Sequence, residues 1–163
     1  MRFSIFLCFF LRIRLRRFLM SDPMARRTLL RSGEALFLED VVAWVLDHVQ
    51  LAIPAGSEDV CDEFYVDVLG FTSEPKPPVL AARGGRWYQR DGAVLHLGVD
   101  PTFSPATKAH PALTVDNYDE LLARLEEVHV EIRPDDSIPG RRRCHVDDPV
   151  GNRIELIDAT SSR

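Results

Sequence analysis

Sulfur is scarce in this chain of 163 residues: it has three cysteines, Cys8, Cys61 and Cys144, widely spaced and without a C-x-x-C pair. That pattern excludes a disulfide framework and a zinc ribbon. It suits a reducing compartment, so the expected location is the cytoplasm. Long apolar runs are missing as well. The uncharged stretch Phe3–Leu11 falls far short of the roughly 18 residues that a membrane-spanning helix needs. There is no phosphate-cradling loop, because neither Gly-Lys-Ser/Thr nor a helix signal follows Gly84-Gly85. Basic residues concentrate at the start: residues 1–33 hold eight arginines against the single acid Asp22, while the whole chain carries a net charge of −5. The body is therefore strongly acidic, a poor electrostatic partner for nucleic acid, and no nucleic-acid function is expected.

The first twenty residues, MRFSIFLCFFLRIRLRRFLM, begin like the apolar stretch of a secretory signal. Arg12, Arg14, Arg16 and Arg17 follow at once, on the wrong flank, and no small-x-small cleavage site is present. A basic amphipathic segment of this kind can lie on an anionic membrane surface. The reading preferred over membrane contact is a dispensable extension over residues 1–44, with Met20 and Met24 as later starts. Residues 34–44 read as a short helix without an assigned function. Residues 160–163 read as a tail.

What the chain does contain, from Val45 onward, is a repeat. DHVQLAIP (47–54) reads as a strand. SEDVCDEFYVDVLG (57–70) reads as a helix with Val60, Phe64, Val68 and Leu69 at helical spacing, Ser57 as N-cap and Gly70 as stop. A Pro-rich loop follows, then RWYQR and AVLHLGVD joined by Asp91-Gly92, a hairpin signal. The order then recurs: AHPALTVD (109–116) as strand, NYDELLARLEEV (117–128) as helix with Leu121, Leu122 and Leu125 as its stripe, and VEIRP, RRCHVDDP and NRIELIDA as strands. This predicts an α+β domain over 45–159, made of two fused βαβββ modules (45–100 and 108–159). Helices are expected on the outer face and a cleft between curved mixed sheets.

Side chains alternate across a strand, so parity assigns faces. Val49, Leu51 and Ile53 share one face with Leu95, Leu97, Val99, Leu113, Val115, Ile154 and Leu156. The opposite face carries His48, His96, His110 and Glu155, one pair per module, separated by 48 and 45 residues. A single strand histidine is most often a hydrogen-bonded or half-exposed side chain. A mid-strand carboxylate between Ile154 and Leu156 is costlier to bury and calls for a cation or strong donor. Three imidazoles and one carboxylate at matched places predict a site for a divalent first-row metal ion (Fe, Mn, Ni or Zn). Within that set, His48, His110 and Glu155 can also form a two-His-one-carboxylate triad.

Other residues carry weaker signals. Arg143 and His145 alternate with Cys144 and Val146, so they face the cleft and can bind an anionic substrate. Arg141 and Arg142 read equally as a solvated charge run. Trp87 is a candidate for stacking on substrate, with a core or lid role weighed equally for it and for Tyr88. Cys61 lies among Asp59, Asp62 and Glu63, which would raise its thiol pKa and argue against a nucleophile. His129, near a helix end, is expected to be exposed.

The motifs DHVQLAIP, FYVDVLGF, HPALTVDN and above all DDPVGNRIELID resemble the vicinal oxygen chelate superfamily of glyoxalases, ring-cleaving dioxygenases, fosfomycin-modifying enzymes and bleomycin-resistance proteins. The resemblance covers about 45–159 and implies paired βαβββ modules curled around a metal. It also implies His48, His96, His110 and Glu155 as the metal positions, with His96 standing where glyoxalase-like relatives usually have Glu. That departure leaves Glu155 as the set's lone carboxylate, so Glu155 or His96 must supply the base. The function implied first is a metal-dependent lyase or isomerase acting on a small oxygen-chelating substrate. An Fe(II) ring-cleaving-type dioxygenase and a non-catalytic, bleomycin-resistance-like binder stay open as alternatives. Whether the modules pair within one chain or across a homodimer is also left open.

Overall fold

The computed structural model describes residues 44–162. The expected extension and the 34–44 helix lie outside the described residues, apart from Trp44. From Val45 onward the chain forms one compact unit.

The first module runs β1 (Val49–Ile53), α1 (Glu58–Asp62) continued by a π-helical segment (Glu63–Val68), β2 (Thr72–Glu74), the single turn α2 (Pro78–Ala81), β3 (Arg86–Arg90) and β4 (Ala93–Val99). The second runs β5 (Ala112–Val115), α3 (Tyr118–Glu127), β6 (Arg133–Pro134), β7 (Arg143–Asp147) and β8 (Arg153–Asp158). Each module makes one four-stranded mixed sheet of the same topology, β1-β4-β3-β2 and β5-β8-β7-β6. In both, the first strand pairs in parallel with the last and the remaining pairs are antiparallel. The α+β fold of two βαβββ modules is thus present.

Local chemistry explains most of these elements. Asp91 and Gly92 have φ of +46° and +89°, the paired left-handed conformation of a two-residue hairpin whose twist matches its strands. Gly70, at φ +74°, stops the first helix, with Phe71 N–H bonded back to the Tyr65 carbonyl. Two details differ from the sequence reading. Ser57 does not cap the helix; its hydroxyl donates to the Pro54 carbonyl at 2.7 Å. The buried stripe is Cys61, Phe64, Tyr65 and Leu69, and Val60 stays 44% exposed, because the wider π turn carries adjacent Phe64 and Tyr65 both inward. The strand hidden in the Pro-rich stretch is Thr72–Glu74, an exposed edge without the apolar alternation that would have marked it.

The parity assignment holds in the core. Ile53, Leu95, Leu97, Ile154 and Leu156 are buried against the helices together with Tyr65, Tyr88, Tyr118 and Leu125. Side chains from both modules share one apolar cluster, each large one contributing about 1.5–3 kcal/mol.

Candidate metal centre

The second sheet concentrates the site. β7 and β8 pair with His145 opposite Glu155 and Arg143 opposite Ile157, so Arg143, His145, Arg153 and Glu155 share the face turned away from Cys144, Val146, Ile154 and Leu156. His110 lies just before β5, whose Ala112 is the neighbour of Glu155. Its Nε2 lies 3.2 Å from Glu155 Oε2. One ligand atom each from His110, His145 and Glu155 lies within 4.8 Å of the others. The two imidazole rings meet edge to face, centroids 5.2 Å apart.

The donor chemistry of this trio fits a divalent ion. His110 Nδ1 is 2.7 Å from the Lys108 carbonyl, which can only accept, so Nδ1 carries the proton. Nε2, the other ring nitrogen, is then the one turned toward the Glu155 carboxylate, where an ion would be shared by the two side chains. A carbonyl that fixes the tautomer is also the usual outer partner of a ligating histidine. Burial raises the Glu155 carboxyl, but hydrogen bonds from Arg143 and His110 outweigh it, and the net pKa lies below the ordinary value. Burial is also the main cause that lowers His145, with His110 adding to it against the pull of Glu155. A carboxylate that stays ionised and an imidazole that stays neutral are the forms that bind metal.

Arg143 braces the trio. Its guanidinium donates to Glu155 Oε1 at 2.7 Å, to Asp135 Oδ2 at 2.7 Å and to Ser137 Oγ at 2.8 Å. Arg142, by contrast, is exposed, pairs with Asp119 and lies over the Tyr118 ring.

The other two expected ligands sit on the first sheet. His96 is the middle of a stack, with the His48 ring at 4.1 Å and the Trp87 ring at 4.3 Å from it, centroid to centroid. Trp87 is opposite His96 across the β3–β4 pair, which sets the second contact. Burial, and then the neighbouring His48, hold His96 below its ordinary pKa. His48 Nδ1 is 2.7 Å from Asp47 Oδ1. The structure thus brings His110 together with Glu155, and His48 together with His96. Among the described residues no metal-capable group of three includes His48 or His96. His145, expected to touch substrate, stands in the ligand group instead; its alternation with Cys144 and Val146 gave the face, and only the β7–β8 register gave the distance.

A cavity of about 900 Å³ lies between the modules, lined by Leu69, Phe71, Leu95, Leu113, Leu121 and Leu156, with His48 and His110 both on its wall. Cys61 is buried and its thiol is pushed up to about 11, first by burial and then by Asp148, so it is no nucleophile at neutral pH. His129 is exposed, as expected, at φ +59° beyond α3. No helix among the described residues is long and apolar enough to cross a membrane.

The same modules recur in known proteins. Residues 46–156 match the model of the Glyoxalase/Bleomycin resistance protein/Dioxygenase superfamily. A solved protein assigned to the glyoxalase family, from Bacillus anthracis, is 38% identical, with a TM-score of 0.69 over 72% of this chain and 96% of its own. A glyoxalase/dioxygenase from Nostoc punctiforme is 23% identical, with a TM-score of 0.57 over 72% of this chain and 97% of its own. The fosfomycin resistance protein FosX from Listeria monocytogenes is 15% identical, with a TM-score of 0.58 over 73% and 96%; these last two share the fold. No functionally curated protein matches the chain. Repeated modules, family-model match and close structural likeness together make this chain a member of the Glyoxalase/Bleomycin resistance protein/Dioxygenase superfamily.

Proposed function

We propose that the chain is a divalent-metal-dependent enzyme of the lyase or isomerase type, acting on a small oxygen-chelating substrate. The reading rests on one observation above all: two imidazoles and a carboxylate, from His110, His145 and Glu155, come within 4.8 Å of one another on one sheet. These residues would hold the ion, which when bound supplies a Lewis acid for the substrate's oxygens. Glu155, held ionised by Arg143, serves as ligand and is a weak base. His96, neutral at neutral pH, is the proton carrier on the first sheet, positioned by Trp87 and His48. Arg143 keeps the carboxylate of Glu155 oriented. A second reading, an Fe(II) dioxygenase, is favoured by the donor set itself, since two histidines and one carboxylate suit non-haem iron.

Metal analysis of the purified full chain separates these proposals. The parent is expected to retain about one ion per chain, and H110A, H145A and E155A to weaken metal binding by roughly tenfold or more each. If the three variants hold as much metal as the parent, the site is wrong. If H48A and H96A lose metal to the same degree, the ion is held across both sheets, within a chain or between two copies. Oxygen uptake with catechols would replace the lyase reading with the oxygenase.

A further inference from the structure

The metal face of the second sheet carries three guanidiniums, and two of them are spent. Arg133 pairs with Asp147 and Glu131. Arg143 pairs with Asp135 and Glu155 through both terminal nitrogens, and only its buried Nε is left without a partner. Arg153 has no hydrogen bond or ion pair among the described residues. Its Nε is buried and has no hydrogen-bond partner. The carboxylate directly across the β7–β8 ladder, Asp147, is the one already paired with Arg133. An unpaired guanidinium with a buried, unsatisfied donor is costly unless something else completes it.

Its position says what that partner is. Arg153 is two residues before Glu155 on the same strand, so both project from one face. It is also diagonal to His145, a separation of roughly 7–8 Å in a sheet, and its charge is felt at that imidazole. An ion held by His110, His145 and Glu155 would bring two positive charges to a face whose carboxylates are already paired, Asp135 and Glu155 with Arg143, and Glu131 and Asp147 with Arg133. The surplus is positive and sits one side chain away from the metal ligands. We propose that Arg153 is the anion-binding residue of this site, receiving a carboxylate or phosphonate group of a small substrate whose neighbouring oxygen faces the metal position. This rests on the metal reading given above for the trio. It moves substrate recognition away from Arg143, whose donors on both terminal nitrogens are already occupied. A fork of free N–H donors suits such groups, because two parallel hydrogen bonds fix their plane.

The test uses the full chain, metal-free and loaded with Zn²⁺, titrated by calorimetry with acetate and with methylphosphonate. Replacing Arg153 in R153Q is expected to weaken both anions by about tenfold, roughly 1.4 kcal/mol. The affinity for Zn²⁺ alone should hold or tighten, since a nearby like charge is removed. R153K should fall between, keeping charge without the fork. Equal anion affinity in R153Q and the parent overturns the proposal. A purely packing role would lower thermal stability without moving anion affinity, and that result also overturns it. Where a variant fails to fold, the Nε–Hε resonance of Arg153 in the parent decides: a shift on adding methylphosphonate supports the assignment and an unmoved signal refutes it. Should H110A, H145A and E155A keep their metal, the metal reading falls, while the metal-free comparison still judges Arg153 by itself.

Discussion

Glu155 has a cation whether or not a metal is bound. With 7% of its surface exposed, it would be costly to leave uncompensated, and Arg143 reaches it at 2.7 Å. Removing one member of a part-buried pair strands the other, here a carboxylate whose surface is almost entirely covered. R143M should therefore be less stable than the parent in metal-free protein, read by urea denaturation. Part of that loss should return on adding Zn²⁺, because the ion then supplies the positive charge. An equal deficit with and without metal would mean that no ion engages Glu155. The parity of NRIELID put this carboxylate on the polar face before any coordinates, but its arginine partner was expected to meet substrate. Parity gives direction; it does not say which opposite charges lie within reach.

Between elements, the turn from β7 to β8 is held by one side chain. Asp148, 4% exposed, accepts hydrogen bonds from the backbone of Val150 and Asn152 through one oxygen, and from Tyr65 Oη and Asn152 Nδ2 through the other. Asn152 also donates to the Ala52 carbonyl at the end of β1. The DDPVGN segment therefore ties the second sheet to the first helix and the first strand, and it fixes the register that sets His145 against Glu155. D148A leaves four donors without their acceptor and should cost about 3 kcal/mol, with Y65F costing about 1 kcal/mol. Chemical denaturation checks both; a D148A loss below that of Y65F would contradict this role. The helices and hairpins around this turn were legible because helical stripes and Asp-Gly turns are local signals. β2 was not, since a three-residue exposed edge has no pattern to read. The π segment was also hidden, since inserting one extra residue per turn depends on burying Phe64 and Tyr65 together.

At the scale of the whole molecule, several groups titrate together. His96 and His145 are both held below their ordinary value, chiefly by burial. The unfolded chain therefore takes up these protons first, and stability present above about pH 6.5 is lost as pH falls. Glu155 also lies below its ordinary value, so its contribution disappears further down, below about pH 4.5. Asp148, raised by burial, works against this in the carboxylate range alone. Urea denaturation of metal-free protein should give stability falling from pH 7 to pH 5; a flat or rising profile would contradict neutral, desolvated imidazoles.

The two scales of information divide along a physical line. The sequence by itself determined the repeat, the strands other than β2, the buried face and the presence of one polar pair per module, His48 with His96 and His110 with Glu155, which it assigned to one shared ion, because alternation and spacing are properties of a single strand and its module. Only the tertiary structure decided that His145 completes the second group while His48 and His96 stack with Trp87. That choice depends on cross-strand register and on how two sheets pack, and those distances are set by side chains that meet from opposite ends of the chain.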